Sequence, residues 1–248
     1  MAAAARGRGA TSGDPGTGAV SAPPAPPTAD AVFGAHRRSA ERFVALLADT
    51  GISHGLVGPR EAPRLWDRHL LNCAVVHPAF PPGARVADVG SGAGLPGLAL
   101  AIVRPDLHLE LIEPLKRRTT WLRTTVAALG LANVTVREGR AEAFWGVLSF
   151  PFVTARAVAP LGDLARLCLP LLAPGGSLIA LKGAGASAEV ARERTGLERL
   201  GAIAVTVESF GEPLVDPPTV VVRVDIGAVV PGRRPARPLR PRGRPTGS

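Results

Sequence analysis

Apolar and polar positions alternate in a regular rhythm from residue 85 onward. Short apolar runs at 85–89, 107–112, 134–138, 152–155 and 177–181 predict strands, and apolar residues recur at helical spacing through 95–103, 115–129 and 161–172. Gly130 stops the second of these helices, and a Pro-Gly-Gly turn at 174–176 precedes the fifth strand. Apolar strands alternating with helices predict a parallel sheet covered on both faces. After a helix near 187–200, strands at 202–208 and 218–225 are joined by a short proline-containing loop, which suits an antiparallel hairpin at one sheet edge.

Upstream, Asp30 is expected to cap a helix in which Phe33, Ala40, Phe43, Val44 and Leu47 share a face, ended by Gly51. A second helix is expected within 63–76 on Leu65, Trp66, Leu70 and Cys73. These predict a helical cap over residues 30–84, ahead of a core at 85–227. Residues 1–29 are almost all Ala, Gly, Pro, Ser and Thr and are expected to be disordered, because they bury too little apolar surface to offset chain entropy. Residues 228–248 return to Pro, Gly and Arg and are expected to form a flexible tail.

The chain is organised around Arg85-Val86-Ala87-Asp88-Val89-Gly90-Ser91-Gly92-Ala93-Gly94-Leu95-Pro96-Gly97, a strand, a tight turn and a helix start. Gly90, Gly92 and Gly94 allow backbone angles that a Cβ forbids and let a ligand lie on bare main chain. Free N–H groups are expected at the start of the following helix, where Pro96 costs nothing. Gly92-x-Gly94-x-x-Gly97 satisfies the dinucleotide fingerprint and suggests NAD. Asp88-x-Gly90-x-Gly92-x-Gly94 resembles motif I of class I S-adenosylmethionine (SAM) methyltransferases. SAM is favoured: an acid precedes the first glycine, the glycines begin two residues too early for a dinucleotide loop, and Arg85 starts well inside the chain. Asp88 repels a pyrophosphate and is expected to attract the ammonium of the methionyl part. A mostly parallel, seven-stranded sheet with one terminal antiparallel strand is the Rossmann-like class I methyltransferase architecture, whereas a dinucleotide sheet has six parallel strands.

Composition adds less. The 248 residues are 46% hydrophobic, enough for one globular domain with appendages. Net charge is +9, and residues 226–248 hold six arginines (Arg233, Arg234, Arg237, Arg240, Arg242, Arg244) with no acid, which points to a polyanionic partner. Cys73 and Cys168 lie in apolar helical contexts without metal-ligand spacing and are expected to be reduced thiols of a cytoplasmic protein. No run approaches a membrane span, and glycine, proline and Asp14 stand where a signal peptide needs apolar residues.

In an open parallel sheet the ligand sits at the carboxyl ends of the strands. The second strand ends at Glu113, placed to accept hydrogen bonds from ribose hydroxyls. The third runs to Gly139-Arg140-Ala141-Glu142, where Ala141 and Glu142 can address an adenine. The fourth ends in Thr154-Ala155-Arg156-Ala157, which sets Arg156 beside the methyl donor or in an ion pair with Asp88 or Glu113. The fifth ends at Lys182, one of two lysines in a chain that otherwise uses arginine, which hints at a need for a compact ammonium. Five scattered histidines form no metal site, and no nucleophile elbow occurs. That absence suits methyl transfer to a ring nitrogen, which loses no proton and needs alignment rather than a base.

Together with Asp88-Val-Gly-Ser-Gly-Ala-Gly-Leu-Pro-Gly97, the pieces Ile102-Val-Arg-Pro105, Lys116-Arg117, Arg140-Ala-Glu142, Arg156-Ala157 and Ala180-Leu-Lys-Gly183 make the chain similar to the glucose-inhibited division protein B family over about residues 31–225. The resemblance implies a bacterial SAM-dependent methyltransferase acting on guanine N7 in 16S rRNA of the small ribosomal subunit. It implies SAM contacts at Gly90, Leu95, Ala141, Glu142 and Arg156 and an acidic ribose position at Glu113. Arg68-His69-Leu70-Leu71-Asn72 is similar to the family's Arg-His segment, while Gly55-Leu-Val-Gly58 stands where many members carry aromatic-Asn-Leu-Thr. Arg60, Arg64 and Arg68 form one candidate phosphate-binding stripe, and Arg117, Arg118 and Arg123 another. The expected protein is monomeric. Two other readings remain: an NAD-dependent oxidoreductase, for which no hydride-handling residue is found, and a non-catalytic ribosome-assembly module.

Overall fold

The computed structural model describes residues 21–228. Seven strands form one sheet: β1 (Arg85–Val89), β2 (His108–Glu113), β3 (Val134–Glu138), β4 (Phe150–Arg156), β5 (Leu172–Lys182), β6 (Ala202–Phe210) and β7 (Thr219–Ile226), in the order β3-β2-β1-β4-β5-β7-β6. The first five run parallel, and β7 runs antiparallel to both of its neighbours. The hairpin expected at a sheet edge is there, with its second strand slotted between β5 and β6. β5 begins earlier than expected, because Leu172 already pairs with Phe150 and the turn residues bulge before Ser177 resumes pairing with Phe152.

The pleat sends alternate residues to two cores. Val86, Leu109, Leu111, Ile179, Leu181 and Val221 face one side. There they meet the cap, α4 (Gly97–Val103) and the Trp121-Leu122 face of α5 (Lys116–Leu129). Ala87, Ile112, Val153, Ala155, Leu178, Ala180 and Val222 face the other, against α6 (Leu161–Cys168) and α7 (Ala186–Arg199). Since Val153 and Ala155 point away from the cap, the period of two points Phe152, Thr154 and Arg156 toward it. Gly130 ends α5 in the left-handed region, as its position after the last apolar residue predicts.

The cap departs from the two simple helices expected. The first is divided into α1 (Thr28–Phe33), a 3-10 turn at Gly34–His36, α2 (Arg37–Leu46) and a π turn at Leu47–Gly51. Asp30 does not cap it; Pro27 holds that position and Asp30 pairs with Arg37. The second is a 3-10 segment (Pro59–Arg64), a π turn (Leu65–Leu71) and the single turn α3 (Asn72–Ala74). Pro63, lacking an N–H, helps keep regular α geometry out of the segment's start.

The disorder expected for residues 1–29 does not extend to the described part of that stretch. Ala29 is fully buried, Ala22 and Ala25 pack on the core, and the Pro23 carbonyl accepts a 3.0 Å hydrogen bond from Trp66 Nε1. Residues 1–20 of that stretch, and 229–248 of the expected tail, lie outside the described residues.

Candidate active site

Strand order reverses beside β1, whose neighbours are β2 and β4, and open α/β sheets place ligands at such switch points. The turn from Gly90 to Pro96 lies there. Gly90 and Ser91 donate their N–H groups to the Ile112 carbonyl at 2.9 and 3.3 Å. Gly94 and Leu95 donate to the Ser91 carbonyl at 2.7 and 3.2 Å, and Leu98 donates to Gly94 at 2.7 Å. Gly97 N–H donates to Asp88 Oδ2 at 3.0 Å. With Pro96 carrying no N–H, the first two amides of the helix, those of Gly97 and Leu98, are taken by the protein itself. Gly92 keeps its side open: a Cβ there, at φ +55°, would meet nothing nearer than the Gly90 carbonyl at 3.8 Å.

Asp88 was the residue expected to face the ligand's ammonium. The structure instead buries it completely beneath the turn, where it anchors Gly97 while Oδ1 has no partner. Burial pushes its carboxyl up to about 7, against the Gly97 hydrogen bond that favours the charge. An unfolded Asp titrates near ~3.9, so between about pH 4 and 7 the native chain holds a proton that the unfolded chain has lost. Stability therefore falls as pH rises through this window. We expect the melting temperature to drop between about pH 4 and 7, and to drop less steeply in Asp88→Asn, when scanned by calorimetry.

Glu113 is almost fully buried at the end of β2. Its Oε2 accepts from Gly92 N–H at 3.0 Å and its Oε1 from Leu115 N–H at 3.1 Å, with Arg118 Nη1 3.8 Å from Oε2. The contact to Gly92 sets the carboxylate against the glycine turn, where its remaining lone pairs can meet ribose hydroxyls. Gly139 N–H donates to the Glu113 carbonyl at 3.1 Å, which brings the end of β3 alongside. There Ala141 opens a 3-10 turn (Ala141–Phe144), so its N–H has no partner within that turn, and Glu142 is exposed. Leu95 is buried against the core and lines the cavity beside the turn.

Arg156 pairs with neither Asp88 nor Glu113. Its Nη1 donates to the Arg68 and His69 carbonyls, both at 3.3 Å, and to Cys73 Sγ at 3.1 Å, while Nη2 lies 2.6 Å from His69 Nδ1. The guanidinium thus ties the end of β4 to the cap's second π turn. It also stands between two cavities. One, of 300 Å³, is lined by the glycine turn with Leu56, Val57, Gly58 and Arg118. The other, of 650 Å³, is lined by Arg68, Asn72, Leu164, Lys182 and the segment 217–220. Glu61, His69, Arg156 and Ala157 line both. Ala157 holds φ +54°, the only non-glycine positive φ among the described residues, directly after Arg156.

Lys182 faces the larger cavity but is committed: its Nζ donates to the Ala159 carbonyl and to Glu189, each at 3.1 Å. Glu189 Oε1 also accepts from Leu161 N–H at 2.6 Å, so this cluster fixes the segment after β4. Arg60, Arg64 and Arg68 are all exposed, although the helix expected to align Arg64 and Arg68 is a 3-10 segment followed by a π turn. In the second candidate set Arg117 is exposed, whereas Arg118 folds over Glu113 and Arg123 lies 3.4 Å from Glu138. Both thiols are buried, and burial pushes each up, consistent with inert packing. Among the described residues no cluster fit to hold a metal occurs.

Sequence reasoning on the site missed Glu61, and it quoted His69, Asn72 and Ala157 only within longer segments, with no role given to any of the three. Each reaches the site through a long-range contact or an unusual backbone angle, and only the Arg-His pair carried a signal.

The sheet order, the glycine turn at its switch point and the carboxylate closing β2 together define a class I SAM-dependent methyltransferase. A solved structure of an O-methyltransferase family protein from Burkholderia thailandensis shares the fold, with a TM-score of 0.50 at 16% identity over 79% of this chain and 64% of that one. The sequence profile of GidB, rRNA small subunit methyltransferase G, matches residues 36–216. Ribosomal RNA small subunit methyltransferase G of Streptomyces avermitilis is 52% identical over 212 residues, covering 85% of this chain and 89% of that protein. The protein of the same name from Salinispora tropica is 52% identical over 236 residues, covering 91% and 98%. This chain belongs to the rRNA small subunit methyltransferase G family.

Proposed function

We propose that this protein transfers the methyl group of SAM to N7 of a guanine in the 16S rRNA of the small ribosomal subunit. One observation carries the choice of cofactor: the amides of Gly94, Leu95, Gly97 and Leu98, where a pyrophosphate would rest, are already bonded to Ser91, Gly94 and Asp88. Few donors remain there for a doubly phosphorylated dinucleotide, and a buried carboxyl lies beneath it. The turn's open face at Gly92 takes an uncharged sugar and the adjoining sulfonium instead, with Glu113 for the ribose and the Ala141–Glu142 end of β3 for the adenine. Gly90, Gly94 and Leu95 shape the turn, and Asp88 holds it in place.

When bound, SAM supplies a methyl on a sulfonium, which becomes a neutral thioether as the guanine N7 lone pair takes the methyl carbon. No proton leaves N7, so the site's residues have only to align the two partners and exclude competing water. The 650 Å³ cavity is roomy enough for one extruded base, and its wall carries Arg68, Arg156 and Lys182. Calorimetric titration tests the cofactor: S-adenosylhomocysteine should bind and NADH should not, and the reverse would overturn the reading.

The arginine-rich C-terminal segment adds sequence-independent attraction to RNA. Removing residues 228–248, with six arginines and no acid, is expected to weaken RNA binding about tenfold at ~0.05 M salt and little at ~0.5 M, measured by filter binding. A loss unaffected by salt would assign the segment a different role. No helix among the described residues is long and apolar enough to cross a membrane. A monomer acting in the cytoplasm is the simplest setting for this reaction.

A further inference from the structure

Two polar contacts converge on one imidazole at the junction of the two cavities. His69 Nδ1 lies 2.6 Å from Arg156 Nη2, and His69 Nε2 lies 2.9 Å from Glu61 Oε2. A guanidinium only donates, so the nitrogen facing it must offer a lone pair. A carboxylate only accepts, so the nitrogen facing it must carry the proton. A single tautomer satisfies both.

The His69 side chain is only 12% exposed, which leaves little room for water to replace a lost partner. Burial, with the neighbouring Arg156 charge, holds the ring below its ordinary value despite the pull of Glu61. The hydrogen bond from His69 holds the Glu61 carboxyl below its usual range, which keeps it an acceptor. The other groups bearing on the pair are Arg68, 3.6 Å from Glu61, Arg64, whose charge also acts on Glu61, and Cys73, which takes Arg156 Nη1. Asp88 faces Arg156 from beneath, through its charge.

We propose that His69 is a positioning residue of this site, held as the neutral Nε2–H tautomer so that Nδ1 accepts from Arg156 Nη2 and fixes the guanidinium between the cofactor and target cavities. Glu61 sets the tautomer, His69 transmits it, and Arg156 presents the result to both cavities. The inference rests on the methyltransferase reading for its kinetic consequence, whereas the tautomer itself does not. Protonating the ring would place a donor against the guanidinium and release it, so turnover should fall at acid pH.

Two variants separate the roles. In His69→Asn the amide oxygen sits near the place of Nδ1 and keeps the acceptor for Arg156; in His69→Gln the amide sits near the place of Nε2 and keeps only the partner of Glu61. We expect kcat to fall about 10- to 100-fold in His69→Gln, with KM for SAM little changed, and to stay within about threefold of wild type in His69→Asn. The acid limb of the wild-type kcat profile should vanish in His69→Asn. Equal losses in both, or a more active glutamine variant, would overturn the proposal. Should neither variant fold, 15N spectra of the histidine rings in the unaltered protein decide it without RNA or cofactor. His69 protonated on Nε2 alone at neutral pH supports the assignment. A proton on Nδ1 sinks it even if methyl transfer is confirmed, and absence of methyl transfer would sink the functional reading while leaving the tautomer standing.

Discussion

Arg156→Ala should lower kcat/KM for methyl transfer by about a hundred- to a thousandfold while changing RNA affinity less than about threefold. The guanidinium holds two carbonyls, a thiol sulfur and a ring nitrogen at once, and all four come from the cap. Alanine leaves these acceptors without a donor in a half-buried junction, at a cost of about 1–3 kcal/mol for each group that water cannot reach. The cap's second π turn is then free to drift from the end of β4, and the wall shared by the two cavities goes with it. Lysine should not rescue the variant, since one ammonium cannot reproduce a planar fork that spans four acceptors. Single-turnover kinetics and RNA binding, measured side by side, check this. Equal losses in both would count against this role for Arg156.

Gly97→Ala should abolish binding of S-adenosylhomocysteine and lower stability by about 2–4 kcal/mol, seen as a fall of roughly 5–15 °C in Tm. A Cβ at Gly97 would lie 2.3 Å from Leu111 Cδ2 and 2.7 Å from Asp88 Oδ2. Neither neighbour has anywhere to go, because Leu111 is packed in the sheet core and Asp88 is pinned by Gly97 itself. Helix α4 must therefore move away from β1, dragging the glycine turn with it. Gly92→Ala is the contrast. Its Cβ would enter open space on the cavity side, so cofactor binding should weaken far more than Tm falls; the cost of holding alanine at positive φ is only about 1 kcal/mol. Melting curves and titrations on the pair separate packing from binding. A Gly97→Ala protein with wild-type Tm would contradict the close approach.

The parts of this fold that were legible in the sequence are those set by local chemistry. β1, β2, β3 and α5 fall within a residue or so of their apolar runs, because strand alternation and a glycine stop act over a few residues. The cap was not legible in detail. Its proline and its π turns replace the 3.6-residue period, and what holds the segments is tertiary: Trp66 reaches the Pro23 carbonyl, and Trp121 reaches Thr50 Oγ1 at 2.9 Å. Site residues divide in the same way. The place of Glu113 at the end of β2, beside the glycine turn, was legible from position alone. Arg156 was placed at the right strand end, but its partners lie more than 80 residues earlier, so its pairing had no local signature. Asp88 was read as a ligand group because the sequence does not tell which side of a turn a carboxylate occupies. Lys182 drew notice for its rarity, and its hydrogen bonds to Glu189 and Ala159 give it a structural task.

The most direct test supplies methyl-labelled SAM and this protein to small ribosomal subunits that lack the modification, then digests the 16S rRNA for nucleoside mass spectrometry and N7-specific strand scission. Label in 7-methylguanosine at a single position is the predicted result. Label on another atom or another base, or none from a protein that binds the cofactor, would contradict it.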